Sequence, residues 1–267
     1  MNTIDHQNKP IVMIGSGLAA YTLIREYRKL NTEQAITVVT QESGDFYSKP
    51  MLSTAFASKK DAQQLISTNA AKMMEQLNIQ ILSYSNVSAI DPSNHSLLLK
   101  SPGNKEHVLQ YSKLVLALGA DQIRLDIAGD ATDQIITVND LQDYADFRER
   151  ITNTKKVLIL GAGLIGCEFA NDLRIAGHQV TVLGASSEVG GKARWHALLP
   201  GGESLSSIYD YQRLAADRFG VHFELGVHAR LQDVLALQPD AVVLATGSTP
   251  RWPAWPRCPA GRSSPPG

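Results

Sequence analysis

Short apolar runs recur along the chain, and most of them stop at a glycine or at a cluster of turn formers. Val157–Leu160, inside KKVLILGAGLIGCEFANDL, is apolar without interruption and short, as a parallel strand covered on both faces should be. A glycine-rich turn and the start of a helix follow it. Pro10–Arg28, PIVMIGSGLAAYTLIREYR, repeats that order, with Leu18, Leu23 and Tyr27 at helical spacing after the turn. Ala35–Thr40, AITVVT, predicts a second parallel strand. Asp61–Leu77 reads as an amphipathic helix approached by solvated Lys59 and Lys60. From Ile79 to Gln110 the apolar runs are broken by Asp91, Pro92, Asn94, Pro102 and Gly103, which predicts strands and hairpins. Tyr111–Ala120, YSKLVLALGA, predicts a buried strand running into glycine. Ile123–Thr154 is polar and turn-rich, with a helix at Asp140–Arg150. Beyond it, His178–Leu183 reads as a strand, Ser204–Phe219 as a helix and Asp240–Gly247, DAVVLATG, as a last buried strand.

The two glycine turns give the pattern its meaning. Gly161, Gly163 and Gly166 form G-x-G-x-x-G, which suits either a dinucleotide site or an ordinary packing turn. The strand before it and the helix after it favour the dinucleotide. The first glycine allows a tight turn, the second lets the backbone approach a pyrophosphate, and the third lets the helix pack close to the strand. The helix N-terminus aims N–H groups and positive potential at the phosphates. In the earlier copy these positions are Gly15, Gly17 and Ala20, the alanine meeting the same need for a small side chain. Glu42 follows the second strand closely enough to hydrogen-bond a ribose, or it is a solvated loop carboxylate. Gly15 to Gly119 and Gly161 to Gly247 each run from such a turn to an apolar strand ending in Ala-x-Gly, first at Ala117. The chain is therefore expected to be α/β, with two Rossmann-like, three-layer nucleotide-binding units. The expected boundaries are a first unit at residues 1–122, a connector at 123–154, a second unit at 155–250 and a disordered tail at 251–267.

Composition narrows the function classes. At 267 residues and 29.0 kDa, with 43% hydrophobic and 19% charged residues, the chain can bury a sizeable core. A net charge of −1 offers no basic footprint for nucleic acid or a membrane surface. No apolar run approaches the roughly 18 to 20 residues that span a bilayer. The start, MNTIDHQNKP, lacks a secretory pattern, so a cytoplasmic protein is expected. Cys167 and Cys258 form no C-x-x-C, and Cys167 sits among apolar residues as a core position would. The histidines show no ligand spacing, and no metal is expected. Lys49 stands before Pro50, whose ring should hold it extended, either aimed at a ligand or simply solvated. Past Asn171 there is no further Asn, and Lys192 is the only Lys after Lys156. In the tail, Trp252 and Trp255 are either a binding motif or part of an unstructured end.

The stretches IVMIGSGLAAYTLIREYRKL, YSKPMLS, YSKLVLALGA and VLILGAGLIGCEFANDL make residues from about Pro10 to Val182 resemble the rubredoxin-NAD reductases, flavoproteins of the pyridine nucleotide-disulfide oxidoreductase superfamily. The resemblance implies FAD on the first unit, its pyrophosphate held at Gly15, Ser16, Gly17, Leu18, Ala19 and Ala20 and its ribose at Glu42. It places Lys49 and Pro50 near the flavin, Val87 against adenine through its backbone, and Ala117 and Gly119 at the end of the same unit. It puts NADH on the second unit at Gly161, Gly163, Leu164, Ile165 and Gly166, with Gly247 closing that unit. Glu168 would face the isoalloxazine, and Lys49 and Glu168 are the candidate catalytic residues. The implied chemistry is hydride transfer from nicotinamide to flavin, then single-electron steps to the iron of rubredoxin or a similar small carrier. A disulfide reductase of the superfamily needs a redox-active cysteine pair, which this sequence does not supply.

After Val182 the resemblance changes. GASSEVGGKARWHALLPGGESLSSIYDYQ and DAVVLATGSTPR, within about residues 183–251, look like the C-terminal flavin and nucleotide domain of dienoyl-CoA reductases and trimethylamine dehydrogenase-like enzymes. Together with the compositional break this predicts a chimeric chain whose hybrid second unit still folds. The ribose carboxylate expected directly after Leu183 is replaced by Gly184. Glu188, as far from Gly161 as Glu42 is from Gly15, is the substitute candidate. No arginine sits where a 2′-phosphate would bind, which favours NADH over NADPH. The family's closing Gly-Asp segment and C-terminal domain are not found, so a truncated flavoprotein with reduced FAD affinity and weak turnover is expected. Two other functions fit the residues: a nucleotide-binding module of a dienoyl-CoA or amine-oxidising flavoenzyme, and a non-catalytic FAD- and NAD-binding fragment.

Overall fold

The structure is a computed structural model, and it describes residues 8–123 and 134–250. The described residues form two compact units, one of residues 8–47, 67–119 and 250, the other of residues 48–66, 120–123 and 134–249. The expected tail, with Trp252, Trp255 and Cys258, lies outside the described residues.

In the first unit the elements are β1 (Ile11–Ile14), α1 (Leu18–Arg28), β2 (Ile36–Val39), β3 (Phe46–Tyr47), β4 (Ile66–Thr68), α2 (Ala70–Leu77), β5 (Gln80–Leu82), β6 (Asn86–Asp91), β7 (Ser96–Ser101), β8 (Lys105–Gln110) and β9 (Lys113–Leu116). A parallel sheet of order β5-β2-β1-β9 forms the middle layer. Alternation along β1 sends Ile11 and Met13 towards Ala20, Tyr21, Ile24 and Met73 of the helices. Val12 and Ile14 point the other way, onto Leu97 and Leu99 of the antiparallel β6-β7-β8 sheet. These are the strands and hairpins expected from Ile79 to Gln110.

Three elements depart from the pattern of apolar positions. The core face of α1 is Ala20, Tyr21 and Ile24, whereas Leu18 is 65% and Leu23 43% exposed. The amphipathic helix begins only at Ala70. Ile66–Thr68 is extended, and Asn69 then caps α2 by accepting from the backbone N–H of Lys72 at 2.9 Å, which sets its start. The run Tyr111–Ala120 is not one buried strand: Lys113–Leu116 forms the sheet edge, with Leu116 45% exposed, and Ala120 opens the following strand.

The second unit contains β10 (Ala120–Gln122), α3 (Leu141–Ile151), β11 (Lys156–Leu160), α4 (Leu164–Ile175), β12 (Gln179–Gly184), α5 (Lys192–Ala197), α6 (Ser206–Phe219), β13 (His222–Leu225), α7 (Leu231–Leu237), β14 (Ala241–Leu244) and β15 (Ser248–Pro250). Its parallel sheet has order β13-β12-β11-β14, matching the first. Leu158 and Leu160 pack with Val234 and Leu237 of α7 on one face. Helix α3 is core rather than a mere connector: Tyr144, Phe147 and Ile151 are fully buried, and Phe147 stacks edge-on against Phe169 of α4 at 5.2 Å. No helix among the described residues is long and apolar enough to cross a membrane.

Candidate functional site

Each unit carries the same glycine turn, built by the same steric demands. Gly15 has φ +106°, and a side chain there would run into the carbonyl of Ala117, which follows β9. Gly161 has φ +115°, and its side chain would meet the carbonyl of Ala245, after β14. At Gly166 a Cβ would strike the carbonyl oxygen of Gly161, so helix α4 can lie against the turn only if this residue is glycine. In the first unit the corresponding Ala20 fits, fully buried.

The second glycine of each turn differs in kind. Nothing lies within 4 Å of a Cβ built on Gly17 or Gly163, so that side of each residue is open, while on its other side the Gly163 backbone is bridged to Gly190, whose N–H donates to the Ala162 carbonyl at 2.8 Å. These residues are the N-caps of α1 and α4; neither helix has a side-chain cap or an acidic residue in its first turn. The free N–H groups and the helix dipole are thus left to an anion from outside the helix. The sites fit the pyrophosphate of FAD and of a nicotinamide dinucleotide on these grounds. Leu18 and Ala19 occupy the first turn of α1, Leu164 and Ile165 that of α4, and Ile165 is 48% exposed.

Beyond the second strand the two units diverge. Ser16 is buried and shares a 2.8 Å hydrogen bond with Thr40, one residue past β2; their counterparts are Ala162 and Gly184, and a side chain on Gly184 would crowd the Ala162 methyl. Glu42 is exposed and accepts a 3.0 Å hydrogen bond from the Tyr47 hydroxyl. Its counterpart follows from the strand register. Ile14 pairs with Val39 and Leu160 with Leu183, which aligns Thr40 with Gly184 and Glu42 with Ser186. The backbone agrees: Tyr84 N–H donates to the Glu42 carbonyl and Ser85 N–H to that of Thr40, as Gly226 N–H does to Ser186 and Val227 N–H to Gly184. Glu188, equivalent to Glu42 by counting from the glycines, stands two residues further on and forms an ion pair with Arg194.

Lys49 opens a 3-10 turn, Lys49–Ser53, with exposed Pro50 next; the extended residue is Ser48 rather than Lys49, a correction explained by the turn beginning at the lysine itself. Ser53 ends that turn and donates from Oγ to Glu168 Oε2 at 2.5 Å, orienting a half-buried carboxylate on α4. One helical turn on, the Asp172 carboxylate accepts from the N–H groups of Phe56 (2.7 Å) and Ala57 (3.2 Å). Burial pushes its pKa up to about 6, although those N–H groups and the Arg148 charge pull the other way. Cys167 is fully buried, and burial, then the Glu168 charge, raises its thiol to about 11; it is core, as expected. Val87 lies on β6 at a bulge, Gly119 has φ +73°, and Gly247 has φ +106° with its carbonyl accepting from Ile123 N–H at 3.0 Å.

Ser53, Asp172 and Ser186 were not among the expected site residues. Asp172 had a signal, a second carboxylate one helical turn beyond Glu168, whereas Ser186 becomes visible only through strand register. The described residues include no group of three or more side chains that could hold a metal ion.

A family model described as pyridine nucleotide-disulphide oxidoreductase matches residues 9–196. The chain belongs to that family. A pyridine nucleotide-disulphide oxidoreductase at 45% identity over 243 residues is the rubredoxin-NAD(+) reductase of Acinetobacter baylyi, with 90% of this chain and 59% of the relative covered. That of Alcanivorax borkumensis is 40% identical over 255 residues, covering 91% and 63%. The chain thus spans about three fifths of the length of these relatives. Both alignments run past Val182, where the motif resemblance changes. Among solved structures of the fold, NADH:rubredoxin oxidoreductase from Clostridium acetobutylicum superposes with a TM-score of 0.68 at 20% identity, covering 91% of this chain and 59% of that one. Water-forming NADH oxidase from Lactobacillus brevis gives 0.71 at 19% identity, covering 90% and 54%.

Proposed function

We propose that the chain is a FAD-dependent oxidoreductase that takes electrons from NADH and passes them to a small iron protein of the rubredoxin kind in the cytoplasm. The observation that carries this reading is the duplicated glycine turn, each copy closed at its first glycine and open at its second, over an uncapped helix N-terminus. FAD is assigned to the first unit and NADH to the second. When bound, the two cofactors supply hydride transfer and one-electron delivery. The protein's own part is binding and orientation. Gly17 and Gly163 admit the two pyrophosphates, Glu42 holds the FAD ribose, and the Val87 backbone meets adenine. The Ser53 hydroxyl fixes the Glu168 carboxylate in one rotamer, so that it presents a charge of constant position, and Lys49 supplies the opposite charge. Rubredoxin-NAD(+) reductase activity of relatives at 45% and 40% identity supports the choice of acceptor.

The test is the visible absorption spectrum of the purified protein. Because the chain spans only about three fifths of its relatives, substoichiometric flavin bands are expected, which bleach slowly on adding NADH and return on adding oxidised rubredoxin. Bands that NADH leaves unchanged, together with thermal stabilisation by ADP, would instead make the chain a non-catalytic nucleotide binder.

A further inference from the structure

We infer that the second unit binds the pyrophosphate of a nicotinamide dinucleotide without reading the 2′ position of its adenosine ribose, and so takes NADH and NADPH alike. This rests on the proposed NADH site of that unit. Discrimination at the 2′ position needs either a carboxylate at the end of the second strand, which accepts from the 2′-hydroxyl and repels a 2′-phosphate, or a free cation, which attracts the phosphate. Among the described residues no carboxylate stands at the end of β12, and the two cations in the segment that follows it, Lys192 and Arg194, each have a partner.

Gly184 is buried at the end of β12, where a side chain would be held against Ala162 and Leu225. Strand register and two matching backbone hydrogen bonds put Ser186, not Glu188, at the place Glu42 fills in the first unit. Its exposed hydroxyl carries no charge and can donate or accept, so it suits a ribose hydroxyl and a phosphate oxygen equally. Glu188 is paired with Arg194, which engages both the acid displaced from the reading position and the cation that could have replaced it. The other cation in the segment that follows β12, Lys192, donates to the Ser248 carbonyl at 3.2 Å.

Calorimetric titration of the FAD-loaded protein, its flavin reduced beforehand so that no hydride is transferred, with NADH and with NADPH tests this. Dissociation constants within about threefold of each other are expected, and a preference beyond about tenfold either way overturns the inference while leaving the proposed function intact. Failure of both dinucleotides to bind overturns the proposed NADH site, and the inference with it. Two variants separate the reading position from its neighbour. Ser186→Asp restores a carboxylate at the end of the second strand and should weaken NADPH by about tenfold or more while NADH is kept. Glu188→Gln should leave NADH affinity unchanged. Loss of NADH affinity in Glu188→Gln, or an unaltered ratio in Ser186→Asp, would refute the assignment.

Discussion

Asp172 shows how a single residue ties a helix to a loop at a cost that depends on pH. Its carboxylate is buried on α4 yet accepts from two backbone N–H groups of the loop, those of Phe56 and Ala57. Burial wins over those hydrogen bonds, and the folded pKa of about 6 stands above the ordinary 3.8. The proton is therefore held more tightly in the folded state than in the unfolded one. The resulting contribution to stability is complete below pH 3.8 and is lost as pH rises through about 6. Asp172→Asn removes the titration and keeps one acceptor oxygen. Relative to this variant, the natural chain should lose about 2 to 3 kcal/mol of stability between pH 4 and pH 7. Urea unfolding of both proteins across that range measures the difference. A difference that stays constant with pH would contradict the assigned burial of the charge.

At the scale of an element, the strand, glycine turn and helix form one object whose residues fail in different ways. Gly166→Ala drives a methyl into the Gly161 carbonyl and must push α4 off β11. It should destabilise by about 2 to 4 kcal/mol, in the range of overpacked cores. Gly163→Ala meets open space at φ −74°, which any residue adopts, so stability should change by less than about 0.5 kcal/mol while dinucleotide affinity falls. Thermal unfolding with and without NADH separates the two, and a Gly163→Ala protein that unfolds early would contradict the open face. This object was legible in the sequence because its rules are local: apolar strand, glycine where φ is positive, small residue where helix meets strand. The core face of α1 was less legible, since Ala20 and Tyr21 carry it while the more hydrophobic Leu18 and Leu23 face out. Asp61–Leu77 misled for a related reason. Its apolar spacing suits a helix, but tertiary pairing took Ile66–Thr68 into a strand, and the Asn69 cap is read as a helix start only once that is known. Which residue follows the second strand of the second unit in the place of Glu42 was the least legible feature. Counting from the glycines nominates Glu188, but the shorter path from Gly161 to Leu183 shifts the register and brings Ser186 to that place.

At the scale of the whole chain, two units with one sheet order and one turn geometry imply two separately addressable sites. Ligand that binds only the folded state stabilises by mass action, about 2.7 kcal/mol at one hundred times its dissociation constant, and protects first the amides it touches. FAD should slow hydrogen exchange at residues 15–20 and around Glu42, where free N–H groups of α1 and the strand end meet it. NADH should slow exchange at residues 161–166 and around Ser186. Gly163→Ala should abolish the second pattern and leave the first in place, because the methyl fills only the open face of the second turn. Mass-spectrometric exchange with each ligand, on the natural chain and the variant, resolves the two patterns by peptide. If FAD protected both turns equally and NADH added nothing, the division of cofactors between the units would be wrong, and the second turn would have to be assigned to a flavin nucleotide instead.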